Sequence, residues 1–188
     1  MSVNLSARHF QDPSLLQDVQ QALSDSGLEP WALTLEITES VLMHRSTATL
    51  ERLRALKALG LNLAIDDFGT GYSSLGYLQQ FPIDVLKIDR SFVEAVGNAE
   101  ADPVLARAII ALGRTLQIET IAEGIERSEQ RDGLRTLGCT LGQGYYFAKA
   151  MPAPRFVDEC LNHTFESMPT ANPEEEYAVR RRTSVTSD

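Results

Sequence analysis

The chain has 188 residues, 43% hydrophobic and 23% charged, which fits one substantial globular core and excludes a disordered chain. Its 17 Lys and Arg against 26 Asp and Glu give a net charge of −9, so DNA is excluded as a partner and an anionic ligand needs a local cation. Two cysteines, Cys139 and Cys160, are too few for a disulfide framework, and neither a signal segment nor a membrane-length apolar run is present, so a reducing, cytoplasmic compartment is expected.

Taken in chain order, the predicted strands are Ser2–Leu5, Leu33–Thr38, Leu61–Asp66, Val85–Asp89, Thr120–Glu123 and Cys139–Tyr145. Helices are predicted between them. Ser14–Ser26 follows the start signal Asp12-Pro13-Ser14 and stops at Gly27; Thr47–Leu59 stops at Gly60; Ser73–Gln80 precedes Phe81-Pro82. Pro103–Leu116 carries Leu105, Ala108, Ile109, Leu112 and Leu116 at helical spacing, Glu129–Leu137 ends at Gly138, and Pro154–Leu161 is the last. Periodicity is lost after Phe165. Residues 1–165 are therefore expected to form the domain, and 166–188 a disordered polar tail in which Arg180-Arg181-Arg182 reads as solvated charge.

Strand–helix alternation predicts βα units on a parallel sheet. A closed (β/α)8 barrel has eight such units and the chain shows six strands. The fold class is α/β, with two architectures open: a doubly wound sheet, or a TIM-type barrel that is incomplete here, with about six of its eight units.

Side chains alternate along a strand. Leu33, Leu35 and Ile37 oppose Thr34, Glu36 and Thr38; Leu61, Leu63 and Ile65 oppose Asn62, Ala64 and Asp66; Leu86 and Ile88 oppose Val85, Lys87 and Asp89. The apolar faces should pack on helices. The other face then brings Asn4, Glu36, Asp66, Lys87, Glu123 and Gln143 toward the C-terminal strand ends, where βα folds build their sites. The run LAIDDFGTGYSSL (63–75) adds two adjacent acids before a glycine-rich turn, an arrangement that costs free energy unless cations stand between the carboxylates. Glu36, Asp66, Asp67 and Glu123, with the Asn4 carbonyl, are hard oxygen ligands suited to Mg²⁺ or Mn²⁺, and their crowding points to two ions. Lys87 is a fixed cation for a phosphate or an attacking water. This set points to phosphodiester hydrolysis.

These residues lie in VNLS (3–6), LEITES (35–40), IDDFGTGYSSL (65–75), LKIDRSF (86–92), TIAEGIE (120–126) and GCTLGQGYYFAKAMP (138–152). In order and separation these motifs resemble the EAL family of bacterial cyclic di-GMP phosphodiesterases, which have a (β/α)8 barrel; the resemblance covers roughly 2–160. It implies metal ligation by Asn4, Glu36, Asp66 (bridging two ions), Asp67 and Glu123, and catalytic roles for Lys87 and Glu123. It also implies that Gln143 orients the site, that Glu39 anchors the loop Asp67–Ser74, and that Glu126 is a second acid near substrate. It further implies hydrolysis of cyclic di-GMP to linear pGpG with two Mg²⁺ or Mn²⁺ ions, a homodimer, and an upstream sensor or diguanylate cyclase domain on a parent chain.

The sequence departs from the family pattern in one respect. No Glu-Ala-Leu followed by Leu-Arg occurs. In the family that segment lies upstream of VNLS, so an N-terminally truncated domain is expected. A catalytically impaired EAL-like module that binds cyclic di-GMP or a partner protein is the alternative. His9, His44 and His163 read as surface residues. Asp67-Phe68-Gly69 lacks the other kinase motifs, and Gly69-Thr70-Gly71 lacks the third glycine of a dinucleotide fingerprint. Tyr145, Tyr146 and Phe147 are either base-stacking or core residues.

Overall fold

The alternation of Leu and Ile with polar residues produces the expected parallel strands. A computed structural model describes residues 1–42, 47–71, 78–98 and 101–162 of the chain. The strands are β1 (Ser2–Leu5), β2 (Thr34–Thr38), β3 (Asn62–Phe68), β4 (Val85–Ile88), β5 (Glu119–Ala122) and β6 (Leu141–Gly142). The helices are α1 (Ala7–Gln11), α2 (Leu15–Ser26), α3 (Glu39–Leu42), α4 (Thr47–Ala58), α5 (Arg90–Val93), α6 (Val104–Leu116), α7 (Ser128–Leu137) and α8 (Ala153–Asn162). The chain divides into two compact units, Met1–Lys149 and Ala150–Asp188, and α8 belongs to the second. The expected boundary at 165 and tail 166–188 lie outside the described residues, as do His44, His163 and most of the expected helix Ser73–Gln80.

All strand pairs are parallel, and the sheet order is β1-β2-β3-β4-β5-β6. A doubly wound sheet reverses its strand order at a switch point. Strictly sequential order is that of a barrel. Among the described residues β1 and β6 do not pair, so the sheet is an open arc: an incomplete (β/α)8 barrel.

The apolar strand face packs under the helices as expected. Ile37, Leu61, Leu63, Leu86 and Ile88 are fully buried against Leu53 and Leu56 of α4 and the rest of the core. Each such side chain contributes about 1.5–3 kcal/mol on leaving water. α6 corrects the expected stripe. Leu105 is 55% exposed, and the buried residues are Ala106, Ile109, Ile110 and Gly113. Gly113 turns this face inward, because a Cβ there would stand 2.5 Å from the Thr120 methyl, so only glycine allows so close an approach to β5.

Two further departures shape the site. β6 is two residues long instead of reaching Tyr145, because Gln143 and Tyr146 pair with the Ile125 backbone and bend the chain away from the sheet. In β3 the register with β4 runs Ile65 to Leu86 and then Phe68 to Ile88, so β3 carries one extra residue there. Asp67, at φ 53°, takes up that residue in the left-handed region.

Candidate active site

Lys87 lies near the end of β4 on the concave face and is 4% exposed. An ammonium buried this deeply needs partners. Its Nζ lies 2.6 Å from Glu36 Oε2 on β2, 2.9 Å from Asp66 Oδ1 on β3 and 2.6 Å from Glu123 Oε1 just beyond β5. Four consecutive strands thus deliver one cation and three anions to one point. Burial alone would lower the lysine pKa, but hydrogen bonds to Glu123, Glu36 and Asp66 outweigh it and hold the value above that of ordinary lysine. Lys87 is therefore a fixed positive charge and cannot serve as a base.

Glu123 is pushed up by burial and pulled back by Lys87, with a net rise. Gln143, past β6, donates from Nε2 to Glu123 Oε1 at 2.5 Å and fixes that carboxylate's orientation. Regular alternation would set Asp67 on the opposite face from Asp66. The β3 bulge removes that parity. Asp66, Asp67 and Glu123 each present a carboxylate oxygen within 4.8 Å of the others. Burial, then the neighbouring Asp66 and Asp89 carboxylates, push the Asp67 carboxyl up.

Asp89 is a residue that sequence reasoning placed on the inward face and left without a role. It caps α5, accepting from Ser91 N at 3.0 Å and from the Ser91 hydroxyl, and it stands beside Asp67. Burial raises Asp89, but its hydrogen bonds to Ser91, Arg90 and Asp67 bring it below the usual carboxylate range. Its position two residues after Lys87 was the available signal.

The donor set tests the implied metals. Four carboxylates (Glu36, Asp66, Asp67 and Glu123) surround one ammonium, a local excess of three negative charges. All are hard oxygen donors, and one divalent ion or two would offset the excess. The residues therefore fit the expected ions, with Asp66, Asp67 and Glu123 presenting grouped carboxylate oxygens. Glu36 takes Lys87 as its partner. Asn4 stands opposite Glu36 in the β1–β2 register and is exposed.

The remaining expected site residues lie around this group. Glu39, in the first turn of α3, is 4% exposed; its Oε2 accepts from Gly69 N at 2.9 Å and Gly71 N at 3.3 Å. The turn after Asp67 therefore rests on Glu39. Glu39→Ala is expected to cost about 1–3 kcal/mol, the scale of hydrogen bonds to a charged group. Urea unfolding in EDTA checks this, and wild-type stability would remove Glu39 as the anchor. Glu126 pairs with Arg90 Nη1 at 3.0 Å and is half exposed. Tyr145, Tyr146 and Phe147 are 62%, 36% and 38% exposed, which corrects the core reading of these rings. Arg131 donates to the Tyr146 hydroxyl at 2.6 Å and stacks over its ring.

An all-parallel sequential sheet with an acidic, lysine-centred group at its C-terminal rim defines a barrel-type α/β protein. The family model for the EAL domain matches residues 1–150, and the chain belongs to that family. It is 40% identical over 169 residues to the cyclic di-GMP phosphodiesterase NbdA of Pseudomonas aeruginosa, covering 90% of this chain and 22% of the relative. A solved structure, the PaMucR phosphodiesterase in complex with c-di-GMP, is 44% identical with a TM-score of 0.78, covering 82% of this chain and 63% of that one. The manganese and cy-diGMP complex of Klebsiella pneumoniae BlrP1 is 29% identical with a TM-score of 0.69, covering 77% and 37%. The chain spans about a fifth of the length of the curated relatives it matches. Among the described residues no helix is long and apolar enough to cross a membrane.

Proposed function

We propose that this chain hydrolyses cyclic di-GMP to linear pGpG in bacterial second-messenger signalling, with two divalent ions, Mg²⁺ or Mn²⁺, held by Asp66, Asp67, Glu123, Glu36 and Asn4. The observation that carries the reading is the group in which Glu36, Asp66 and Glu123 converge on Lys87 Nζ with Asp67 alongside. Ions bound there supply Lewis-acid charge at phosphate and make water a better nucleophile at neutral pH.

The chain's own residues have separate tasks. Lys87 presents a permanent positive charge, which stabilises negative charge gathering on a phosphate oxygen without moving a proton. Water forms a new P–O bond as the P–O bond to the sugar breaks, and the proton that water loses is balanced by the one the departing sugar oxygen takes up. Glu123, whose proton affinity is raised, is the carboxylate best suited to take the water proton. Gln143 keeps Glu123 turned toward Lys87. Glu39 holds the turn that carries Asp67, and Glu126, paired with Arg90, is taken from the resemblance as a second acid near substrate. The reading takes from the resemblance a cytoplasmic homodimer and an upstream sensor or cyclase domain.

The test is incubation of the purified 188-residue chain with cyclic di-GMP and Mg²⁺ or Mn²⁺, followed by chromatography. Production of pGpG supports the proposal. Absence of product from folded protein rejects it. Lys87 already engages Glu36, Asp66 and Glu123, which favours one second reading, a module that binds cyclic di-GMP without cleaving it. Calorimetric binding without turnover would select that reading.

A further inference from the structure

The turn that follows Asp67 has two supports. One is Glu39, through the amides of Gly69 and Gly71. The other is apolar and comes from the opposite direction. Gly69 has φ +96°, and a Cβ on it would lie 2.9 Å from Phe92 Cε2 and 3.0 Å from Ile109 Cδ1. The bare Cα of Gly69 is thus seated on the edge of the Phe92 ring, with the Ile109 methyl beside it.

Phe92 belongs to α5 and is packed against the core while partly buried; Ile109 is a buried residue of α6. α5 also begins at Asp89, whose carboxylate stands beside that of Asp67. One short helix therefore meets the turn at both ends, by a carboxylate at Asp67 and by an aromatic ring at Gly69. Within the turn, the Thr70 hydroxyl donates to the Asp67 carbonyl at 2.8 Å, so Asp67 and Gly69 are tied into one unit. Asp67 itself is exposed and in the left-handed region, which an aspartate tolerates better than most residues but still at a cost.

We propose that Phe92 is a positioning residue for the Asp67 carboxylate, acting through the Cα of Gly69. The ring fixes how far the turn can sink toward α5 and α6, and so sets where the Asp67 oxygen stands relative to Asp66 and Glu123. The inference rests on the two-ion reading of this site, and the role of Phe92 is additional to it.

The test is a titration of the metal-free 188-residue chain with Mn²⁺, followed by the electron paramagnetic resonance of the free ion. It is paired with thermal melts in EDTA. Wild type, Asp67→Asn, Phe92→Leu, Phe92→Met and Gly69→Ala are compared. Phe92→Leu is expected to weaken Mn²⁺ binding about 10-fold, the scale of losing a residue that orients a ligand. Phe92→Met, which refills the volume, recovers most of the affinity. Gly69→Ala is strained at φ +96° as well as pressed onto the ring, so its weakened binding does not count for Phe92, and only wild-type affinity in it bears on the role. Were the leucine variant to fail to fold, Phe92→Ile takes its place in the same titration. Wild-type Mn²⁺ affinity in folded Phe92→Leu or in Gly69→Ala overturns the role of Phe92 alone, even if the melting temperature falls. Absence of Mn²⁺ binding by the wild type overturns the two-ion reading, and the inference with it.

Discussion

Lys87→Met is expected to destabilise the metal-free protein by about 3–5 kcal/mol, the cost of removing one partner from a buried ionic group. Methionine fills similar volume, so the loss reports charge rather than a cavity. Lys87 holds Glu36, Asp66 and Glu123 at 2.6, 2.9 and 2.6 Å, and its removal leaves three crowded carboxylates with no shared cation. Two signatures separate this from ordinary core damage. Crowded carboxylates take up protons, so the deficit shrinks as pH falls. A divalent ion should restore stability by binding the folded state in place of the ammonium. Urea unfolding at two pH values, with EDTA and with Mn²⁺, measures both. A variant as stable as wild type in EDTA would show that the lysine is not the charge holding the rim together. The same variant should lose hydrolysis, since among the described residues no other side chain at this point offers a permanent positive charge to the phosphate.

Asp66→Asn is the converse case. The amide keeps the size and one oxygen acceptor, and Lys87 keeps Glu36 and Glu123 as partners. The fold should melt near the wild-type temperature. Hydrolysis of cyclic di-GMP should fall about 10²–10³-fold, the scale of removing one preorganised electrostatic group. Turnover at saturating Mn²⁺ together with a melt provides the check. Activity within a few-fold of wild type would remove Asp66 from the chemistry and leave it a structural partner of Lys87. Together the two variants distinguish a charge that supports the fold from one that serves the reaction.

Much of this site was legible in the sequence, because a period of two is hard to mistake in a parallel strand. Leu33, Leu35 and Ile37 against Glu36, or Leu86 and Ile88 against Lys87, specify which face is core and which is rim. The order of strands followed from the family resemblance and not from the period, which left a doubly wound sheet open. Three things lay beyond that pattern. The short helices α1, α3 and α5 have fewer residues than one full hydrophobic repeat, so no periodicity marks them. The buried stripe of α6 depends on the approach of Gly113 to Thr120, a property of two distant elements. Asp89 looked like the end of a strand, and its closeness to Asp67 arises only when the bulge in β3 swings that carboxylate round.

That bulge has a mechanical consequence. Ile65 and Phe68 are 1% and 3% exposed, and they bracket Asp66 and Asp67 on either side. The two acids therefore form a short span clamped at both ends by side chains locked in the close-packed interior. For the carboxylates to drift apart or flatten back into regular pleating, one clamp would have to leave its socket. The chemical rim thus borrows its stiffness from the oily side of the sheet, and a cation arriving there meets a seat whose spacing was set when the core closed.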